Sequence, residues 1–321
     1  MSRLLVTGAN GFVGRAFCRR ALEAGHTVWG LVRRPGGCVD GVHEWVHDTA
    51  DFDGLEGAWP AGLAVDSVIH LAARVHVMHD EAPDPDAAFD DTNVMGTLRV
   101  AGASRARGVR RMVFASSIKA MAEVDRGVPV AEDAEADPQD AYGRSKWRAE
   151  RELARYAGTS GLEFVIVRPP LVYGPCVRAN FLQMMDAVAN GVPLPLAAIQ
   201  TRRSVVYVDN LADALLHCAL DARAVGECFH VADDDAPTVP GLLRMVGDAL
   251  GRRARLFPVP VAALTTLGKL TGRSATISRL TESLRLDCSR IGRVLDWRAP
   301  YTTQQGLDAT AAWYRSRDNQ K

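Results

Sequence analysis

Tyr142 and Lys146, in the stretch YGRSKWRAE, are four residues apart. On a helix that spacing places them on one face, one turn from each other. A phenol can give or take a proton at oxygen, but its ordinary pKa of about 10 is too high for a base near neutrality. A lysine ammonium beside it lowers that value and makes the pair a candidate general acid/base. The spacing alone is a common accident of amphipathic helices. Upstream, FASSIKAMAE at 114–123 ends an apolar run on Ser116 and Ser117, with Lys119 two residues further on. This is either a polar turn or a hydroxyl aimed into a reaction site. Open α/β sheets bind ligands beyond the C-terminal ends of their strands, and Ser117 falls at such an end if 111–115 is a strand. Ser116 then closes the strand end.

A third segment is TGANGFVG at 7–14, with Gly8, Gly11 and Gly14 at intervals of three. Residues without a Cβ let the chain turn tightly and approach a pyrophosphate, which then sits at the positive end of the following helix. The bland alternative is a glycine-rich turn without ligand. Its place at the first strand-to-helix turn favours a dinucleotide. Folds that take NAD usually carry Asp or Glu at the end of the next strand, to accept from the ribose 2′-hydroxyl. Here that place is Val32, followed by Arg33 and Arg34. Guanidinium groups suit a 2′-phosphate, so NADP(H) is favoured, with NAD(H) as the alternative. Two solvated surface arginines are the other reading of this pair. Asp48 is placed either to bond the adenine amine or to close a turn.

The elements that must position these residues follow from periodicity. Strand-like runs at 4–7, 27–32, 44–47, 67–71, 111–115 and 163–168 alternate with helix-period segments at 12–24, 94–107 and 142–157. Short β-branched strands separated by helices make βαβ units, hence a parallel sheet covered on both faces. Right-handed crossovers then predict an α/β, doubly wound, Rossmann-type sheet. Asp140 is placed to cap the helix that carries Tyr142 and Lys146. After Pro169 the rhythm loosens into a helix at 181–189, a strand at 204–208, a helix at 211–220, a strand at 228–231, a helix at 242–250 and a helical tail. No Gly/Ser-rich linker divides the halves. The expected organisation is a dinucleotide-binding domain over 1–170 and a smaller C-terminal, mainly substrate-binding lobe over 171–321. Residues 200–232 of that lobe are expected to return to the first domain.

Composition excludes several classes. The 321 residues allow a large core, and 47% hydrophobic content argues against disorder. Lys+Arg and Asp+Glu both number 38, so the net charge is zero. No global field attracts nucleic acid or an anionic membrane, and any anion site must be local. No run reaches the ~18 apolar residues of a membrane helix, and MSRLLVTGAN does not read as a signal peptide. The six cysteines show neither a CxxC pair nor metal-like spacing with His. The expectation is a cytoplasmic chain with reduced thiols and no metal.

Taken together, TGANGFVG, the strand-end serine and YGRSK resemble the extended short-chain dehydrogenase/reductase family, in its NAD-dependent epimerase/dehydratase group. The similarity covers nearly the whole chain, through HLAA at 70–73, DTNVMGT at 91–97, RPPLVYGP at 168–175 and DCSRIGRVLDWRAPYT at 287–302. The resemblance implies a carbinol–ketone interconversion. Tyr142 would be the general acid/base, Lys146 would lower its pKa and bond the nicotinamide ribose, and Ser117 would hold the substrate oxygen. Asn93 would support the lysine and a proton path through water. Asn10, Phe12 and Val13 in the glycine loop, Leu71, Ala72 and Ala73 after the fourth strand, and Pro169 after the sixth would complete the cofactor cradle. A homodimer through the 94–107 and 142–157 helices is common in the family, although their apolar positions could equally all face the sheet.

Departures from the family narrow the chemistry. Its sugar-nucleotide dehydratases carry Thr-Asp-Glu where this chain has Ser117-Ile118-Lys119, so dehydration is not expected. The tyrosine and glycine frequent four and five residues after the serine are Met121 and Ala122 here. Asn180 and Arg203 match positions that hold diphosphate and uridine in the nucleotide-sugar branch, and Arg279 adds to them. The alternatives are a helix cap for Asn180 and an exposed strand-edge charge for Arg203. Lys119 either meets the substrate or points to water. Steroid or flavonoid reductases of the family have no diphosphate to hold. With ARVHVM at 73–78 and RPPLVYGPCVRANF at 168–181, the pattern is most similar to UDP-4-keto-6-deoxy-N-acetylhexosamine 4-reductases of bacterial polysaccharide (O-antigen) synthesis. The expected function is an NADPH-dependent 4-ketoreductase of a UDP-sugar. The alternatives are a UDP-hexose 4-epimerase with tightly held NAD and, more remotely, a non-catalytic dinucleotide sensor, which would tend to lose Ser117, Tyr142 and Lys146.

Overall fold

The computed structural model describes residues 1–75, 84–272 and 274–318, so the last three residues of ARVHVM lie outside the described residues. The first half alternates β1 (Arg3–Thr7), α1 (Phe12–Glu23), β2 (Thr27–Val32), β3 (His43–Val46), the single-turn α2 (Leu55–Ala58), β4 (Ser67–His70), α3 (Pro85–Asp90), α4 (Gly96–Ala106), β5 (Arg111–Ala115), α5 (Ala141–Ser160) and β6 (Glu163–Arg168). There follow β7 (Leu171–Tyr173), α6 (Ala179–Ala189), β8 (Val205–Tyr207), α7 (Val208–Leu220), β9 (Cys228–His230), α8 (Val239–Leu250), α9 (Val261–Leu270), α10 (Ser274–Thr281), α11 (Ser289–Leu295) and α12 (Thr303–Asp318).

The main sheet runs β3-β2-β1-β4-β5-β6-β9, and every pair in it is parallel. All four residues of β4 are buried, as befits a strand covered on both faces. Chain order reverses between β1 and β4, where doubly wound sheets open a crevice beyond the strand ends. Register makes those ends level. Thr7 pairs with both Leu31 and His70, His70 with Phe114, Ala115 with Val167, and Arg168 with His230. Gly8, Leu71, Ser117 and Pro169 therefore leave the sheet along one edge.

Helices cover both faces. α1 packs against α7 on one side, and α4 against α5 on the other. Val6, Phe17 and Leu215 belong to the first core; Leu5, Phe114 and Leu153 belong to the second. The apolar positions of α5, among them Ala149, Leu153 and Ala157, face inward, while Arg151 and Arg155 point outward. β9 joins the main sheet, but β8 pairs with β7 in a separate two-stranded ribbon. The periodicity misses β7, which is three residues long and follows two prolines. Residues 91–95 form a π-turn leading into α4, where the pattern predicts plain helix from 94.

Candidate active site

The glycine loop leaves β1 at Gly8, whose φ of +68° suits a residue without a side chain. A Cβ there would stand 3.1 Å from the Ala72 amide nitrogen, and one at Gly14 would stand 2.1 Å from the Gly8 carbonyl oxygen. Gly11 is the N-cap of α1, and its amide donates to the Gly8 carbonyl at 2.9 Å. Backbone replaces side chains at a helix N-terminus, which is the geometry a pyrophosphate requires. The loop thus fits a dinucleotide. Phe12 and Val13 open α1 and pack against the core, and the Asn10 amide donates to the Gly36 carbonyl at 3.2 Å.

The loop is tied to β4 by a buried chain of hydrogen bonds. The Thr7 hydroxyl accepts from the Leu71 and Ala72 amides, both at 3.1 Å, and lies 2.8 Å from His70 Nδ1. His70 Nε2 lies 3.1 Å from the Thr97 hydroxyl, which donates to the Asn93 carbonyl at 2.6 Å. Burial pushes the imidazole down to about 3. It is neutral, so Nε2 carries the proton and Nδ1 accepts from Thr7. Ala73 continues the segment, partly buried. Arg33 and Arg34 are exposed just past β2, and Asp48 is exposed just past β3.

Ser117 and Tyr142 meet. The Ser117 hydroxyl lies close enough to the phenol to influence it, and Phe89 packs edge-on against the tyrosine ring with centroids 6.2 Å apart. Desolvation pushes the Tyr142 hydroxyl up to about 12; the Ser117 hydroxyl opposes this and the Asp140 carboxylate adds to it. The downward pull expected from Lys146 is not among these influences. Lys146 is 1% exposed. Its ammonium donates to the Ala115 carbonyl at 2.8 Å and lies 4.5 Å from the centre of the Phe114 ring. Burial pushes its pKa down to about 7, against a raising influence from Glu150 one turn further along α5. Arg168 holds Glu150 with two bonds, at 2.9 and 2.6 Å.

Asn93 reaches this helix at one remove. Its amide nitrogen donates to the Arg74 carbonyl at 3.0 Å and to Ser145 Oγ at 2.9 Å, and its oxygen accepts from the Arg74 amide at 2.8 Å. Ser145 in turn donates to the Tyr142 carbonyl at 2.8 Å. Asn93 therefore locks the segment after β4 onto the first turn of α5, and its link to Lys146 runs through the neighbouring serine. The Ser116 amide extends the ladder to Val167 at 2.8 Å, and the Pro169 carbonyl accepts from the Ile118 amide at 3.0 Å. Ile118 and Met121 are buried in a small cluster with Val130 and Leu284. The position where dehydratases of the family carry an acid thus points into a core.

Lys119 neither points to open water nor presents an unpaired charge to a substrate. Its ammonium pairs with the carboxylates of Asp140 and Glu123. Asn180 is the second residue of α6 and exposed; Arg178 occupies the N-cap, so Asn180 is not the cap. Arg203 is not an edge charge either. Its amide donates to the Pro237 carbonyl, and its guanidinium donates to the Arg279 and Glu282 carbonyls at 2.8 and 3.0 Å. It meets Arg279 through backbone, and burial lowers its pKa. Periodicity could not reveal the Lys119–Asp140 pair, the Asn93–Ser145 bridge or the Thr7–His70–Thr97 chain, because each joins residues far apart in sequence. The motif HLAA did contain His70.

A doubly wound parallel sheet with a glycine cradle at its first turn, and a serine beyond its fifth strand beside a helix tyrosine, defines the extended short-chain dehydrogenase/reductase class. Within that class the chain belongs to the NAD dependent epimerase/dehydratase family, whose model matches residues 4–232. It is 34% identical to a UDP-glucose 4-epimerase of Vibrio cholerae over 319 residues, covering 98% of this chain and 96% of that one. It is 27% identical to the N-acetyl-alpha-D-glucosaminyl-diphospho-ditrans,octacis-undecaprenol 4-epimerase of Escherichia coli O157:H7, covering 96% and 93%. Among solved structures, Thermus thermophilus UDP-glucose 4-epimerase in complex with NAD superposes with a TM-score of 0.76 at 25% identity, covering 98% and 99%. Among the described residues no helix is long and apolar enough to cross a membrane.

Proposed function

We propose that this protein is an NADPH-dependent 4-ketoreductase of a UDP-linked 4-keto-6-deoxy-N-acetylhexosamine. The observation that carries the reading is Ser117 placed beside Tyr142, with buried Lys146 one turn behind it. A dinucleotide whose pyrophosphate lay in the glycine cradle would supply the hydride for C4 of the sugar. The chain's own residues manage the oxygen. Ser117 donates to the ketone oxygen and fixes its place, and Tyr142 gives up its proton to that oxygen as the carbinol forms. A phenol held protonated, at about 12, is in the state that reduction needs. Solvent then returns the proton to Tyr142, and Lys146, seated on the Ala115 carbonyl, would hold the nicotinamide ribose. Arg203, with Arg279 and Asn180, lies in the second half, where a diphosphate would be gripped.

The NADPH assignment rests on Val32 in the place of the usual acid, and on Arg33 and Arg34 exposed beyond it. A second reading, a UDP-hexose 4-epimerase with resident NAD, is favoured by the UDP-glucose 4-epimerases among the relatives. It uses the same three residues, taking hydride from C4 and returning it to the other face. Turnover of UDP-4-keto-6-deoxy-GlcNAc with NADPH and with NADH separates the two, with UDP-galactose interconversion as control. Cofactor released on denaturation gives a further check. Consumption of NADPH by the keto sugar supports the reductase. Stoichiometric bound NAD with UDP-galactose turnover overturns it in favour of the epimerase.

A further inference from the structure

We propose that Lys119 is the positioning residue of this site: it clamps the cap of α5 onto the turn that leaves β5, and so holds Tyr142 within reach of Ser117. The proposal rests on the roles given to Tyr142 and Ser117 above. Lys119 lies in a short 3₁₀ turn, Ile118–Ala120. Ser117 caps that turn, its Oγ accepting from the Lys119 amide at 3.2 Å. The Lys119 ammonium reaches across to Asp140, and to Glu123 at 3.0 Å. Asp140 is the N-cap of α5, its other oxygen accepting from the Gly143 amide at 2.7 Å. The backbones touch as well, since a Cβ at Gly143 would stand 2.3 Å from the Lys119 carbonyl oxygen. One residue therefore serves both partners of the reacting pair. Its amide orients the serine, and its ammonium fixes the helix start that carries the tyrosine. The side chains of Lys119 and Asp140 are 23% and 25% exposed, so solvent screens this pair less than it would an open surface pair.

The clamp also sets the field at the phenol. Around Tyr142, α5 itself carries Asp140, Arg144, Lys146 and Arg148. α3 presents Asp86 and Asp90, paired with Arg144 and Arg148. Arg74 lies over the Phe89 ring that meets the tyrosine. Glu123 lies close enough to Arg203 to influence it. Of these, Asp140 opposes ionisation of Tyr142, and Lys119 is the counter-charge seated on Asp140. A neutral residue at 119 loosens the cap and leaves that carboxylate uncompensated.

The test uses the full chain labelled with 13Cζ-tyrosine, the Tyr142 resonance being the one lost in Tyr142→Phe. It therefore needs no knowledge of the substrate. In Lys119→Met the Tyr142 resonance is expected to move at pH 7 relative to the unsubstituted protein, as the phenol loses its fixed place beside Ser117. Lys119→Arg is expected to restore its position. Lys119→Met combined with Asp140→Asn removes both charges, keeps a capping side chain, and is expected to recover most of the change. In turnover of the 4-keto sugar nucleotide, Lys119→Met is expected to lower kcat on the order of tenfold with KM held within about twofold. A Tyr142 resonance unmoved at pH 7 by Lys119→Met overturns the proposal, as does a Lys119→Arg protein that behaves like Lys119→Met. Absence of turnover by the unsubstituted protein overturns the reaction assigned above, while the resonance still decides the role of Lys119.

Discussion

Lys146 is held at the cost of its charge. A free lysine titrates near 10.4, whereas burial brings this one down to about 7. The ammonium is therefore lost as pH rises through neutrality, while surface lysines stay charged. If the ammonium holds the nicotinamide ribose, the Kd for NADPH measured by fluorescence should rise roughly tenfold between pH 6 and pH 9. In Lys146→Met, binding should be weak and flat across that range. The stability effect has the opposite direction. Between about 7 and the unfolded value of 10.5 the native chain binds fewer protons at this site than the unfolded chain. The contribution of Lys146 to stability thus grows as pH rises through that window, and is lost as pH falls through about 7. Tyr142 has the complementary role. Tyr142→Phe keeps the ring contact with Phe89 and removes the proton. We expect kcat to fall by about 10²–10⁴ with the Kd for NADPH unchanged, which stopped-flow and binding titrations can separate.

α5 is the element on which these residues depend, and it was largely legible in the sequence. Its period, its Asp140 cap and the Tyr142–Lys146 spacing are all local signals. What the helix start touches was not legible, because that contact joins residues on two separate elements. Gly143 records it. A methyl there meets the Lys119 carbonyl, which is backbone and cannot swing away. Gly158, on the same helix, has open space around the corresponding point. Gly143→Ala should cost about 1–3 kcal/mol through overpacking and reduce turnover. Gly158→Ala should stabilise by up to about 1 kcal/mol through helix propensity and leave turnover intact. Urea unfolding and a single activity assay check both. The elements missed or misplaced share a different cause. β7 is too short for a period and follows two prolines. The π-turn at 91–95 looks like plain helix to any 3.6-residue pattern, yet it is the turn that aims Asn93 at Arg74 and Ser145.

At the scale of the molecule, the second half is built into the first by contacts that span most of the chain. Arg20 on α1 pairs with Asp213 on α7 at 2.8 Å, and Arg19 with Asp209 at 2.7 Å. The centre of the second half is Asp233, 5% exposed. It accepts from the Tyr207 amide at 2.9 Å, the Asn210 amide side chain at 2.8 Å and the Tyr173 hydroxyl at 2.7 Å. The same hydroxyl lies 3.0 Å from the Thr303 carbonyl at the start of α12. One carboxylate thus joins β7, the junction of β8 with α7, and the C-terminal helix. Burial raises its pKa, while those donors pull the other way. Asp233→Ala would leave the Tyr207 amide and an Asn210 side-chain N–H without their acceptor, while the Tyr173 hydroxyl keeps the Thr303 carbonyl. At about 1–3 kcal/mol for an unsatisfied buried group, the expected loss is at least about 2 kcal/mol. Because β9 sits in the main sheet and α7 packs on α1, that loss should not stay local. Tryptophan fluorescence and circular dichroism should report one coincident urea transition, moved to lower denaturant as a whole. Two separate transitions, with only one displaced, would show that the halves unfold independently and that the return of α7 and β9 does not couple them.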